Sequence, residues 1–379
     1  MRRIGIIHPW MPQYRTAFFS SLASELYRQD VELHVYYGAT PLEWAERNDS
    51  AHSDGMQQLP TKFFRVGKRN LSYKDISRVK SDGPFDLLVV EQAIRNIETY
   101  ELMLRRRAYE RLGFWGHGRT YTASKSALEE RLKIALTKRA DWFFGYTEGG
   151  VQAMLDVGFS KQRTTVVNNS IDTRSLKSDL DSIRDHEVED FKSRNGITDC
   201  TALYLGGIDE AKRVPFLLKS AALAHKQNPE FRLLVAGDGS LAQHVKCEAK
   251  KEPWLIYLGG IFGRDKAMAL RSASVLSIPG RVGLVAVDSL SSGVPIVTTD
   301  WPFHAPEFEY LKPDETVIVS KDDCHSYSLE LNRAISDAEL RQKLSDNCLS
   351  ESAMFTTEAM AERFALGVMC ALDGEPIAR

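Results

Sequence analysis

Short runs of branched and aromatic residues alternate along this chain with longer stretches whose apolar positions recur at helical spacing. That alternation predicts parallel α/β domains. In the front half the predicted strands are IGIIHP (4–9), VELHVYYG (31–38), FDLLVVEQ (85–92), YERLGFWG (109–116), DWFFGYT (141–147) and TTVVNNS (164–170). In the rear half they are TALYLGG (201–207), RLLVAGDG (232–239), LIYLGG (255–260), SVLSIPG (274–280), PIVTTD (295–300) and TVIVS (316–320). A polar, charged stretch between the halves reads as a linker. The expected organisation is a front domain over 1–175, a linker over 176–196, a rear domain over 197–354 and a terminal helical segment over 355–379. Two doubly wound, Rossmann-like domains facing each other across a cleft is the economical architecture.

The richest stretch is VLSIPGRVGLVAVDSLSSGVPIVTT (275–299). It reads as a buried strand, a Pro279-Gly280 turn, a helix from about Gly283 ended by Gly293, and a second strand. Gly283 lets backbone approach a ligand, and the free N–H groups of the first helical turn, at Leu284 and Val285, suit a phosphate. Asp288, further into the helix, is placed to take ribose hydroxyls. The plain alternative is an ordinary strand–helix–strand unit with a solvated Asp.

Net charge is −2 over 379 residues but unevenly spread. Residues 1–174 hold 26 Lys+Arg against 20 Asp+Glu, and the remainder 23 against 31. A basic front half points to an anionic partner there. No nucleic-acid motif is present, so nucleic acid is not expected. Five scattered cysteines without CxxC spacing argue against a disulfide framework or zinc site and fit a reducing compartment. No apolar run is long enough to span a bilayer, and no signal peptide is read. The expectation is a cytoplasmic protein, with peripheral contact at the inner face of an anionic membrane through the basic–aromatic stretch 62–80, for which a solvated loop and helix is the competing account.

Other residues fall where open α/β sheets bind ligands, at the carboxyl ends of strands. Gly206-Gly207 is followed by Lys212-Arg213 at a helix start, two cations able to stabilise a departing diphosphate without a metal. His117 stands between two glycines in GFWGHG, which argues for close approach by a ligand. Tyr14 and Arg15 follow the first strand, and Glu91 and Arg95 follow another. Asp179-Leu180-Asp181 lies in the linker and reads as solvated, so no metal is expected.

Together these motifs resemble a GT-B-fold glycosyltransferase, similar to retaining glycosyltransferase family 4. GGIDEAKR is similar to that family's donor-phosphate motif, VAGDG to its Gly-x-Gly turn, NNSID (168–172) to its segment before the hinge, and GHG to the turn whose His lies against the donor sugar. SIPGRVGLVAVDSLSSGVPIVTT with HAPEFEYL (304–311) is similar to the nucleotide-sugar segment. Two departures are plain. The first glutamate of the family's paired signature falls on Gly280, with Asp288 at the second. The usual Arg of the phosphate motif falls on Gly207.

The resemblance implies transfer of a sugar, with retention, from a nucleoside-diphosphate sugar to a glycan or lipid-linked acceptor in bacterial cell-surface polysaccharide assembly, with no other cofactor. It implies His117, Lys212 and Arg213 as the catalytic groups. The donor would lie on Gly207, Gly260, Ile261, Phe262, Gly283, Leu284, Val285 and Asp288, and the acceptor on Tyr14, Arg15, Glu91 and Arg95. It also implies a last helix that crosses back to the front domain. The rival readings are a nucleotide-sugar epimerase and a non-catalytic nucleotide-sugar-binding partner of an assembly complex.

Overall fold

The computed structural model describes residues 1–41, 51, 55–67, 69–121 and 127–374. It separates into two units: Met1–Asn169 with Thr357–Arg379, and Ser170–Thr356.

The first unit contains β1 (Arg2–His8), α1 (Gln13–Tyr27), β2 (Val31–Tyr37), β3 (Gln57–Gln58), β4 (Thr61–Val66), β5 (Arg69–Lys74), α2 (Ser77–Asp82), β6 (Phe85–Glu91), α3 (Ile97–Leu104), β7 (Tyr109–Gly116), α4 (Ala127–Thr137), β8 (Trp142–Gly145), α5 (Glu148–Asp156) and β9 (Thr164–Val166). Seven strands form one parallel sheet in the order β3-β2-β1-β6-β7-β8-β9. The strand order reverses between β1 and β6, so the loops after those strands diverge and leave a crevice at their carboxyl ends. The sheet buries both faces, which is why its strands read as nearly continuous apolar runs. One face packs on Phe18, Phe19 and Leu22 of α1, the other on Val79, Leu102 and Met154 of α2, α3 and α5.

The second unit contains α6 (Thr173–Ser182), α7 (Asp185–Asn195), β10 (Thr201–Leu205), α8 (Val214–Gln227), β11 (Arg232–Ala236), α9 (Ala242–Ala249), β12 (Leu255–Gly259), α10 (Gly263–Arg271), β13 (Val275–Ser277), α11 (Val285–Ser292), β14 (Ile296–Thr299), β15 (Val317–Ser320), α12 (Cys324–Ser336) and α13 (Ala338–Glu351). Its parallel sheet runs β12-β11-β10-β13-β14-β15, with the reversal between β10 and β13. The last helix, α14 (Thr357–Asp373), belongs to the first unit, where Phe364 stacks on Phe144 at 4.3 Å between centroids.

One expectation and one competing account need correction. The 176–196 stretch, expected as a linker, is helical: α6 and α7 carry it, capped by Asp172 accepting from Ser175 N and by Glu187 accepting from Arg184 N. Arg264 and Arg271 of α10 fasten it through Glu187 and Asp185 and the Ile183 carbonyl. A sequence so polar stays ordered because its charges meet partners on α10. The start of 62–80, for which a solvated loop and helix is the competing account, is the antiparallel hairpin β4–β5, followed by α2. It turns through Gly67 at φ 61°, a sign of φ that matches the twist of the flanking strands. Lys68 lies outside the described residues.

Candidate functional site

The reversal between β10 and β13 brings two loops of the second unit together. Residues 206–213 follow β10 and residues 278–284 follow β13. Backbone and side chains stitch them. Arg281 N donates to Ala211 O at 3.2 Å, Lys212 Nζ to Arg281 O at 2.6 Å, and Arg213 Nη1 to Pro279 O at 3.2 Å. Arg213 also pairs with Asp322 and lies over the rings of Phe216 and Trp301. It caps α8 with φ 56°, a left-handed conformation that a non-glycine residue holds only when its surroundings enforce it. The two cations therefore do not stand as an open pair at a helix start. Arg213 is a brace, and Lys212 gives an N–H to Arg281 O.

Gly280 has a packing reason to be glycine. A Cβ there would lie 2.6 Å from Lys212 O and 2.7 Å from its carbonyl carbon. The loop after β10 fills the space where the family pattern has a glutamate. Gly280→Ala is thus expected to cost about 1–3 kcal/mol, as overpacking against backbone does, read from the urea midpoint. By contrast, a Cβ at Gly283 would meet only Ala305 and Glu307, at 3.5 and 3.9 Å.

Helix α11 begins at Val285, two residues later than expected, with Leu284 as its cap. Val282 N donates to His304 Nδ1 at 3.2 Å, so Nε2 carries the proton and donates to Thr299 O at 3.0 Å. Burial is the main cause holding His304 below the usual imidazole range; Lys212, Arg281 and Arg213 add to it, and the Thr299 contact opposes. Arg281 is itself half-buried; burial lowers its pKa while Glu307 and Asp209 oppose.

Asp288 lies in the first turn of α11, only 7% exposed. Lys266 Nζ of α10 is 2.5 Å from its Oδ1. Burial pushes the carboxyl up, and Lys266 pulls the other way. Sequence reasoning missed Lys266, since nothing near it in sequence points to α11. The loop just before α10 carries Gly260, Ile261 and Phe262, the last half exposed. Gly207 holds the loop after β10, its carbonyl accepting from Tyr204 Oη at 2.6 Å.

In the first unit the nominated residues fall into two groups. Arg15 is 2% exposed, which corrects its reading as an accessible acceptor contact. It donates to Asn169 Oδ1 at 2.6 Å and lies over the rings of Tyr14 and Trp115 at 5.1 and 5.0 Å. Tyr146 continues this cluster, 5.7 Å from the Arg15 guanidinium and 4.6 Å from the His117 ring. His117 itself is exposed. The glycines beside it answer to packing within the unit: a Cβ at Gly118 would fall 1.8 Å from Gly150 O, and one at Gly116 would fall 2.5 Å from Gln92 Cβ. They are therefore no sign of a ligand. Glu91 and Arg95 form the second group, 3.7 Å apart, with Glu91 also accepting from Asn96 at 2.8 Å.

His8 ends β1 beside the Arg15 cluster, buried, with Nδ1 2.5 Å from Trp10 O. Burial first, then the Arg15 charge, push its imidazole down to about 3. Below the ordinary pKa of about 6.5 the unfolded chain binds a proton that the folded chain refuses. The stability of the neutral ring is complete above that value and is lost as pH falls toward 3. His8→Phe is expected to lose less stability than the parent between about pH 7 and about pH 4.5, measured as urea midpoints.

Residues 185–349 match the family model described as Glycosyl transferases group 1. The phosphatidyl-myo-inositol mannosyltransferase of Mycobacterium tuberculosis is 29% identical over 127 residues, 32% of this chain and 33% of that one. The alpha-monoglucosyldiacylglycerol synthase of Streptococcus pneumoniae is 27% identical over 135 residues, 34% of this chain and 31% of that one. The chain thus spans about a third of the length of the curated relatives it matches. Over 97% of its length it superposes on the whole crystallised chain of Anabaena HepE in complex with UDP-glucose, with a TM-score of 0.70 at 13% identity. Sucrose-phosphate synthase from Thermosynechococcus elongatus covers 99% of this chain and all of its own, with a TM-score of 0.69 at 15% identity. Residues 185–349 are therefore similar to group 1 glycosyl transferases, and the chain that carries them has the GT-B fold.

Proposed function

We propose that this protein transfers a sugar from a nucleoside-diphosphate sugar to a lipid-linked or glycan acceptor, with retention, in bacterial cell-surface polysaccharide assembly. The observation that carries the reading is the gathering of Lys212, Arg213 and Arg281 by the mutual ties of residues 211–213 and 279–281, in the loop that leads into α11. Helix N–H groups and gathered cations are what a diphosphate leaving group requires. The family match over 185–349 supports the same assignment.

In this reading the diphosphate lies at Gly207 and Gly283–Val285 with Lys212 beside it, and Arg213 braces the loop. The base lies by Gly260–Phe262. Asp288 takes the ribose: Lys266 occupies one side of its carboxylate, and a carboxylate has about four acceptor positions. His117, exposed on the first unit, is the residue assigned to the transferred sugar. The acceptor belongs to the first unit, through Tyr14, Glu91 and Arg95, with Arg15 setting the Tyr14 ring. The two relatives reported above are named for glycosylated lipids, which favours a lipid-linked acceptor here. The basic hairpin and neighbouring helix favour work at the inner face of an anionic membrane.

No protein nucleophile is needed: the acceptor hydroxyl attacks on the face the diphosphate leaves, and a diphosphate oxygen takes its proton. The protein contributes positioning and charge. The test is thermal-shift binding of UDP-, GDP-, ADP- and TDP-sugars beside Asp288→Ala. One nucleotide class is expected to stabilise the parent, and the variant should lose that shift. No shift with any of them would sink the reading. Isomerised nucleotide sugar without diphosphate release would replace it with an epimerase.

A further inference from the structure

The first unit holds a cavity of about 430 Å³ at the point where its strand order reverses. That size is ordinary for a small-molecule site, and that position is where open parallel sheets bind ligands. Pro9 and Arg95, from the loops after β1 and β6, line one side. The hairpin β4–β5 lines another with Phe63, Arg65, Ser72 and Lys74, which alternate onto one face of its ladder.

The lining has a definite electrical character. No carboxylate occurs among its described residues. Lys74 is 2% exposed and answered by Glu98 at 2.7 Å, so its charge is spent inside the unit. Arg65 is exposed and has no carboxylate partner among the described residues. Arg95 keeps 37% of its side chain exposed despite Glu91 at 3.7 Å. Beside these guanidinium groups, Phe63 remains 39% exposed on the same face of the hairpin. Two forked cations next to a bare aromatic ring suit an anion joined directly to hydrocarbon.

We infer that this cavity takes the phosphate end of an alkyl-phosphate lipid, the phosphate on Arg65 and Arg95 and the chain along Phe63. The inference rests on the transferase reading only in casting that lipid as the acceptor. A concave site with a polar floor at half-buried Ser72 and buried Lys74 receives one headgroup, where a flat membrane surface would not reach.

Calorimetric titration of the full chain with decyl phosphate below its micelle concentration tests it, beside decanol and inorganic phosphate. Decyl phosphate is expected to saturate one site, with both fragments at least about 10-fold weaker. Arg65→Ala and Phe63→Ala should each weaken it about 10-fold while the nucleotide thermal shift stays unchanged. Inorganic phosphate binding as tightly, or full affinity in Arg65→Ala, would overturn the assignment. So would salt-sensitive binding to anionic vesicles without saturable decyl phosphate binding. Decyl phosphate bound as expected by a chain that takes no nucleotide sugar would keep the cavity and remove the transferase reading.

Discussion

Lys74→Met is expected to destabilise the first unit by about 3–5 kcal/mol, because it leaves Glu98 as an unanswered charge in the interior. Both side chains are 2% exposed and their charged atoms lie 2.7 Å apart. Glu98 also accepts from Lys74 N at 3.2 Å, so a useful double variant must keep an acceptor at position 98. Lys74→Met with Glu98→Gln does so and should return to within about 2 kcal/mol of the parent, since a buried pair contributes little beyond cancelling its own desolvation. Urea unfolding followed by tryptophan emission reads both, Trp115 and Trp142 lying in the first unit's core. A double variant as unstable as the single one would mean that lost packing, not orphaned charge, dominates.

Lys212→Ala should lower turnover by about 10²–10³-fold, the usual loss when one preorganised donor to developing negative charge is removed. Its cost to the fold should be near that of one charge-assisted hydrogen bond, about 1.5–3 kcal/mol, through the lost contact to Arg281 O. Arg213→Ala should show the opposite balance. It gives up Asp322, Pro279 O and two aromatic faces together, so its first effect is on the β10 loop and on stability. Steady-state diphosphate release beside thermal midpoints separates the two. Turnover within a few-fold of the parent in Lys212→Ala would move the diphosphate away from this helix start.

Most strands were legible because both sheets are parallel and largely buried on both faces, which makes strands such as β8, β11 and β13 nearly unbroken apolar runs; β3, Gln57–Gln58, carries no such run. Gly293 as the stop of α11 was legible for a local reason: it takes φ 71° there. Arg15 shows what local reading can hide. Residues 15, 18, 19 and 22 share one helical face, so Phe18, Phe19 and Leu22 already placed the arginine inward. The ties from Lys212 and Arg213 to 279–281 had no such signal, because they join residues more than 60 positions apart. Gly280 combined both limits. Its side chain was visibly missing, but only the neighbouring loop explains why none can be added.

The first unit is discontinuous in the chain, and that sets an order on its birth. Phe364 and Val368 of α14 complete the same core as Phe18 and Phe144. During translation the strands of the first unit emerge early but wait, lacking one wall, while all of Ser170–Thr356 is synthesised. The segment made second therefore has everything it needs before the segment made first. A nascent chain stalled just before α14 should expose the apolar surface of its amino-terminal part to chaperones, with the later-made unit already closed.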